Sequence, residues 1–472
     1  MSERSDGVML SKLHTVHLIG IGGIGVSALA RYFVHEGATV SGSDRAAFRG
    51  EEALRALGVV LHVGHSAAAV SGEVEAVIYS PAVTSDNPER EEARRRGIPE
   101  YSYPEALGAL MENHYGVAVS GTNGKTTTTA LLGRILEEAG KGPTVVVGGI
   151  VPAWNGNFLF GKGELFVAEG CEYRRHMLSL NPRMIVLTNI EEDHLDYYKD
   201  IEDIKNAFAE YARKLPSDGV LVYNSDDQNI ASSCLKETSA RMVSFSLTDT
   251  ENVDFSAADI QYGDGEQSFS LVAQGESLGR ITMSLPGDFN RANILAASAA
   301  AITLGIPFGD IARAVASFSG VERRFERVGE YRGASVISDY AHHPTAVGGT
   351  IAAAREHFPG RRIIAVFQPH QTNRTKNLFD EFVDSLMGAD EVILAEIYQV
   401  AGREDEDAPV SSRDLVQSVN TKKPGLARYA ATLAEVEGML AKEMDLDRAV
   451  ILVMGAGDID HVARKLVAKS RV

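Results

Sequence analysis

At 472 residues the chain is too long for one hydrophobic core, and at about 150 residues per domain it divides into three. Its 44% hydrophobic and 23% charged residues suit a globular protein, no run approaches the roughly 20 apolar residues that cross a bilayer, and the start Met-Ser-Glu-Arg carries no signal-peptide core; a cytoplasmic protein without a membrane partner is expected. A formal charge of −18 argues against nucleic acid as a partner, so an anionic ligand must be held by local devices: glycine turns, helix N-termini, a metal ion and a few arginines.

Residues 14–30 read as a strand, a glycine turn and a helix. Gly20-x-Gly22-Gly23-x-Gly25 is the dinucleotide-type fingerprint in its required context, and the next strand ends at Asp44, about twenty residues on, where a ribose hydroxyl would be held. Alone, this pattern fits a nucleotide diphosphate site, an NAD-dependent enzyme, or a turn made only for close helix packing. Strand-like residues 59–63 and 76–79, the latter leading to Ser80, alternate with a charged helix over 89–96 and a helix over 103–112. Such alternation predicts a parallel sheet, giving a first, Rossmann-like domain over residues 1–112.

A second domain, residues 113–320, opens on the apolar strand Val117-Ala-Val-Ser, then Gly121-Thr122-Asn123-Gly124-Lys125-Thr126-Thr127 and a helix. The usual P-loop wants a glycine six residues before the lysine, and that position is Val119. The chemistry survives the shortening: the glycines permit the turn, Lys125 can neutralise phosphate oxygens, and the Thr126 hydroxyl can ligate Mg²⁺. A nucleoside-triphosphate site is therefore expected, the alternative being a glycine turn before an ordinary helix. Two further apolar strands end in Glu169-Gly-Cys-Glu172 and in Asn189-Ile-Glu-Glu-Asp193-His194. Strand C-termini line the crevice of a parallel sheet, so Glu169 and His194 should face the phosphates and, with Thr126, suggest magnesium; capping of a following helix is the other role open to His194. Residues 241–285 read as several short strands, a small β portion, and the helix expected over 294–304 has Asn290 and Asn293 before it, placed to read an adenine edge or, on sequence mechanics, to cap. Cys171 and Cys234 are too few for a disulfide framework and read as free thiols.

The third segment, residues 321–472, repeats the strand–helix alternation and reads as a second Rossmann-like domain. After Arg324, one strand ends in Asp339-Tyr340-Ala-His342-His343, another in His370-Gln371-Thr-Asn-Arg374, and two more at Glu396-Ile-Tyr398 and Gly455-Ala-Gly-Asp458. Polar clusters at four strand ends look like the second wall of an active site. The histidine pair lacks a third ligand at zinc spacing.

Together these motifs resemble the Mur ligases of peptidoglycan synthesis, over essentially the whole chain: Gly-Ile-Gly-Gly-Ile-Gly, Gly-Thr-Asn-Gly-Lys-Thr, Asn-Ile-Glu-Glu-Asp-His-Leu-Asp, Asp-Tyr-Ala-His-His-Pro, Phe-Gln-Pro-His and Met-Gly-Ala-Gly-Asp, in that order. The resemblance implies an α/β chain of three domains and ATP-dependent amide formation through an acyl phosphate, with ATP and Mg²⁺ as cofactors. No carbamylated lysine aligns after His194, which favours the alanine-adding branch, with UDP-N-acetylmuramate and L-alanine as substrates and a monomer or homodimer as the unit; joining of a preformed peptide is the runner-up. The resemblance also implies that Gly20, Gly22, Gly23, Gly25, Asp44 and Ser80 hold the sugar nucleotide. The loop residues 121–127 with Asn290, Asn293, Arg324 and Asp339 would hold ATP. Tyr340, His342, His370 and Arg374 would surround the amino acid and the sugar acid, Lys125, Glu169, His194, His342 and Arg374 being catalytic. The chain departs from the family at Asn123 and Phe289, where histidines are common, at Gly170-Cys171, and at Gln371, where some members carry arginine.

Overall fold

Three sheets, one for each third of the chain, carry the fold in a computed structural model that describes residues 10–263, 265–399, 410–443 and 445–470. The first consists of β1 (Thr15–Ile19), β2 (Thr39–Asp44), β3 (Val60–Val63), β4 (Ala76–Tyr79) and β5 (Glu100–Ser102), all parallel in the order β3-β2-β1-β4-β5. The strand order reverses between β1 and β4, which opens a crevice at their C-terminal ends. The helix Ile24–His35 starts from the glycine turn at that crevice and buries Leu29, Tyr32 and Phe33.

The central sheet has ten strands: β6 (Tyr115–Ser120), β7 (Thr144–Val151), β8 (Gly156–Leu159), β9 (Leu165–Gly170), β10 (Met184–Leu187), β11 (Val220–Asn224), β12 (Arg241–Ser246), β13 (Phe255–Gly263), β14 (Glu266–Ala273) and β15 (Glu276–Met283). Their order is β15-β14-β13-β12-β11-β10-β6-β9-β7-β8. β6, β9 and β10 are continuous apolar runs because helices cover both faces of this part of the sheet. β6 lies between the other two, parallel to both, with Val119 opposite Glu169 and Ser120 opposite Leu187. That register sets the phosphate loop beside Glu169 on one flank and residues 188–194 on the other.

Two expectations change. The strands of the small β portion are longer than expected: β13 to β15 have nine, eight and eight residues and continue the main sheet through β12. The alanine-rich helix runs Asp288–Thr303, beginning before residue 294, because Gly287 at φ 89° supplies its non-helical N-cap. Asn290 and Asn293 therefore sit inside the first turns and are not caps.

The last sheet comprises β16 (Glu326–Tyr331), β17 (Ala334–Asp339), β18 (Ile363–Phe367), β19 (Glu391–Ala395), β20 (Ala427–Ala430) and β21 (Val450–Met454), ordered β16-β17-β21-β18-β19-β20, with only β16 antiparallel. Its two faces bury separate apolar clusters. The first domain does not have such independence: Tyr32 meets Phe158, Phe160 and Phe166 of the central domain edge-on at 6.4 Å, and one apolar cluster runs from Leu10 to Ala240.

Candidate active site

The loop after β6 is shaped by two glycines that no other residue could replace. Gly121 and Gly124 adopt φ of 138° and 85°; a Cβ would stand 2.1 Å from Thr188 Oγ1 at the first and 2.3 Å from Asn293 Oδ1 at the second. The loop is tied to the segment after β10: Thr122 N donates to Asn189 O at 2.9 Å and Asn123 N to Asn189 Oδ1 at 2.8 Å. Thr188 Oγ1 in turn donates to Asn123 O at 2.6 Å. The helix Lys125–Glu138 starts directly from Gly124, so the N–H groups of Lys125, Thr126 and Thr127 have no intrahelical acceptor and are presented as an anion site.

That helix end opens into a cavity of about 480 Å³ between the central and C-terminal domains, bounded by Asn123, Thr126, Asn293, Phe289, Arg324 and Tyr340 among others. Arg324 lies over the Tyr340 ring, 4.7 Å from its centroid, and donates to Thr126 Oγ1 at 3.3 Å. Asp339 is buried and accepts from Phe325 N and Ala341 N, both at 2.7 Å, so it fixes the turn that carries Arg324. Burial pushes the Asp339 carboxyl above its usual range, against the pull of Arg324. Asn290 spends its amide on Pro286 O at 2.8 Å, whereas Asn293 Oδ1 accepts from Thr128 Oγ1 at 3.2 Å and keeps its N–H₂ for the cavity.

On the β9 side, Glu169 accepts from Gly148 N and, at 3.2 Å, from the Thr126 hydroxyl; burial raises its carboxyl pKa. Lys125 Nζ lies 2.8 and 3.0 Å from the two oxygens of Glu172, a residue only 3% exposed that the sequence presented as a second strand-end acid without a role. Burial works against the Glu172 charge, but Lys125 and His194 outweigh it and hold the carboxyl below its usual range. His194 has φ 56°, its Nε2 is 3.5 Å from Glu172 Oε1, and its Nδ1 is buried with no hydrogen-bond partner. It does not cap a helix, the next one being Ile201–Arg213 with Asp200 as its cap. Cys171 and Cys234 are free thiols; burial, reinforced by Glu172, pushes the Cys171 thiol up to about 12, which favours the protonated form at neutral pH.

A magnesium ion fits this corner: the Thr126 hydroxyl and the Glu169 carboxylate are hard oxygen donors side by side. Among the described residues no three acid, histidine or cysteine side chains converge on one point.

The C-terminal domain reaches this corner through Arg374, whose Nε and Nη2 both donate to Asp193 Oδ1, at 2.9 and 2.7 Å, with both side chains buried. Arg374 Nη1 also donates to His370 O at 3.2 Å. The resemblance sets Arg374 beside the amino acid and the sugar acid, and nothing in the sequence marks Asp193, 181 residues away, as its partner. Burial opposes the Asp193 charge, but Arg374 more than offsets it and holds the carboxyl far below its usual range. A second contact crosses the same boundary, His343 Nε2 lying 3.0 Å from Glu192 O. His342 packs edge-on to Tyr340 and His370, with centroids 5.1 and 6.0 Å away. Burial and the nearby Arg374 hold its imidazole well below the ordinary range, so it is neutral at pH 7.

The crevice of the first sheet holds the remaining candidates. Gly20 and Ile21 donate their N–H groups to Ser43 O at 2.9 and 3.0 Å, and Gly22 N donates to Asp44 Oδ2 at 2.8 Å. Asp44 thus braces the turn with one oxygen. Phe48 and Tyr103 lie so close over Gly22 and Gly25 that a Cβ would stand 2.6 and 2.4 Å from their rings, and Ser80 stands equally tight against Gly20 at 2.9 Å. Asn157 of the central domain donates to Ile24 O just behind the turn.

Comparisons agree with this geometry. Residues 15–115 match the family model described as Mur ligase family, catalytic domain, residues 119–301 that of the Mur ligase middle domain, and residues 323–457 that of the Mur ligase glutamate ligase domain. The UDP-N-acetylmuramate–L-alanine ligase of Desulfitobacterium hafniense (strain Y51) is 40% identical over 454 residues, 96% of this chain and 99% of the relative. The crystal structure of the UDP-N-acetylmuramate–alanine ligase of Thermotoga maritima superposes with a TM-score of 0.80 at 28% identity, covering 97% and 99% of the two chains. A murein peptide ligase from Psychrobacter arcticus shares the fold, with a TM-score of 0.71 at 23% identity over 96% and 98%. The order of the three sheets, the shortened phosphate loop between β9 and β10 and these full-length matches lead to one conclusion: the chain belongs to the Mur ligase family.

Proposed function

We propose that the chain is an ATP-dependent ligase that joins L-alanine to the lactyl carboxylate of UDP-N-acetylmuramate. The division of labour is a sugar-nucleotide domain over residues 1–112, an ATP domain over 113–320 and a closing domain over 321–472. One observation carries the reading: the Thr126 hydroxyl stands 3.2 Å from Glu169 and 3.3 Å from Arg324, so loop, strand end and C-terminal domain converge where a γ-phosphate would meet an acceptor.

A carboxylate oxygen of the sugar acid attacks the γ-phosphorus, the bond to the β,γ-bridging oxygen breaks, and ADP leaves with an acyl phosphate in place. The alanine amine then adds to the acyl carbon, and collapse of the tetrahedral intermediate expels inorganic phosphate. Both steps bring anions together, so stabilisation of charge dominates. Lys125 and the first-turn amides take the phosphate oxygens, while Arg324 reaches the same spot from the other domain. Mg²⁺ would be held by Thr126 and Glu169, with His194 as the candidate nitrogen donor, and when bound would neutralise phosphate charge. His342, kept neutral by burial, is the candidate acceptor for the proton that alanine must lose, and Arg374 brings positive charge to the carboxylates.

Phosphate release from ATP with UDP-N-acetylmuramate and a panel of amino acids and short peptides tests the reading. Stimulation by L-alanine is expected; stimulation only by a peptide would make the chain a peptide-adding ligase, and no stimulation by L-alanine would sink the proposal.

A further inference from the structure

An ammonium group has three protons to give, and Lys125 has placed all three inside the protein. Its Nζ donates to Gly121 O at 2.5 Å, to Thr122 O at 2.9 Å and to Glu172 Oε1 at 3.0 Å, folding the side chain back over its own loop. A phosphate oxygen can be met only by giving up one of these acceptors. The two carbonyls belong to the loop itself and move with it. Glu172 comes from another segment, just beyond β9, and its backbone is pinned: its carbonyl accepts from Arg175 N at 2.8 Å and from Tyr198 Oη at 2.5 Å. The turn that follows holds Arg174 and Arg175 at φ 50° and 59°, a left-handed pair sustained only where the surroundings impose it. The carboxylate is thus delivered to Lys125 by a fixed support.

We propose that Glu172 is a positioning residue that parks Lys125 in the resting enzyme, and that nucleotide binding is an exchange at the ammonium in which a phosphate oxygen replaces the Glu172 carboxylate. The inference rests on the reading of this loop as the ATP site. The released carboxylate is not left bare, because His194 Nε2 already stands 3.5 Å from the same oxygen. Glu172 therefore turns toward His194 as Lys125 turns toward phosphate, and occupancy of the loop orients His194. The resting contact lowers apparent nucleotide affinity, since only the unparked fraction binds.

The test is calorimetric titration of the full chain with the β,γ-methylene analogue of ATP in magnesium-free buffer, followed by ligase kinetics. Glu172→Gln, nearly isosteric but uncharged, is expected to bind the analogue about tenfold tighter than the unsubstituted protein, the scale of one charge-assisted hydrogen bond. Glu172→Asp keeps the charge but falls a methylene short of Lys125, and it too should bind tighter. In both variants the KM for ATP falls while kcat also falls, because His194 has lost its partner; a merely structural role would not lower KM. Unchanged or weaker binding in both variants overturns the inference. So does tighter binding in the glutamine variant alone, which would mark simple relief of repulsion. Should the glutamine variant fail to fold by thermal melting, the titration of the aspartate variant decides by the same criterion. No analogue binding by the unsubstituted protein would overturn the ATP reading itself.

Discussion

Lys125 and Thr126 are legible in the sequence because a glycine turn between an apolar strand and a helix has few other uses. What the sequence does not show is how those residues are held. Lys125 pairs with Glu172 47 residues on, and Arg374 with Asp193 across 181, and no local pattern encodes either pairing. Asn290 and Asn293 look like caps in the sequence for the same reason: the helix start depends on the positive φ of Gly287 rather than on the amides. The glycines give the sharpest expectation at this scale. Gly124→Ala puts a methyl 2.3 Å from Asn293 Oδ1 at a φ of 85°, so the loop must open; a strain of about 1–3 kcal/mol is expected, with at least about tenfold weaker nucleotide binding by titration. Lys125→Ala should abolish phosphate release yet leave UDP-sugar affinity unchanged within about twofold, because the two proposed sites stand on different sheets. Comparable loss of both would refute the division between the domains.

Among the elements, continuous apolar strands are readable directly, since burial on both faces leaves an unmistakable composition. β8 and β16 escape such a reading: β8 is four residues that open on Gly156 and Asn157, and β16 is exposed or half-buried along most of its length, so neither carries such a run. The helix Pro88–Arg96 reads as a charged element, and it buries Glu89 completely. That carboxylate accepts from Ser43 Oγ at 2.5 Å and Ser66 N at 2.9 Å, and lies 3.2 Å from His17 Nε2, so it ties the helix to β1 and β2 beneath the glycine turn. Burial works to raise the Glu89 carboxyl, but its hydrogen bonds to His17, Ser43 and Ser66 prevail and lower it. A depressed folded value means that the charged form stabilises the fold. The contribution is present above the unfolded carboxyl value of about 4.3 and is lost as pH falls through the lower folded value. Urea unfolding between pH 7 and pH 3 should show this loss, and Glu89→Gln should flatten that part of the profile while lowering stability at pH 7.

At the scale of the molecule, the two domain boundaries are built differently. The first domain shares an apolar cluster with the central one, with Tyr32 set among Phe158, Phe160 and Phe166, so parting the two would expose apolar surface. The C-terminal domain keeps its own cores and meets the centre across a polar seam: Arg374 with Asp193, His343 with Glu192, Arg324 with Thr126. Such a seam can part without exposing a core, as a ligase must when it admits ATP and releases ADP. Of these contacts only the Arg374–Asp193 pair is an ion pair buried on both sides, and removing one partner leaves an uncompensated charge worth about 3–5 kcal/mol. Arg374→Met is therefore expected to open the ligand-free molecule, seen as a larger radius of gyration in small-angle scattering and as an earlier, separate unfolding step for the C-terminal domain in calorimetry. The exposed pair Arg49–Glu322 provides the contrast: with Arg49 74% exposed it contributes about 0–1 kcal/mol, and Arg49→Ala should leave both measurements unchanged. If Arg374→Met scatters like the unsubstituted protein while losing activity, Arg374 acts on substrate alone and the seam is held by its other contacts.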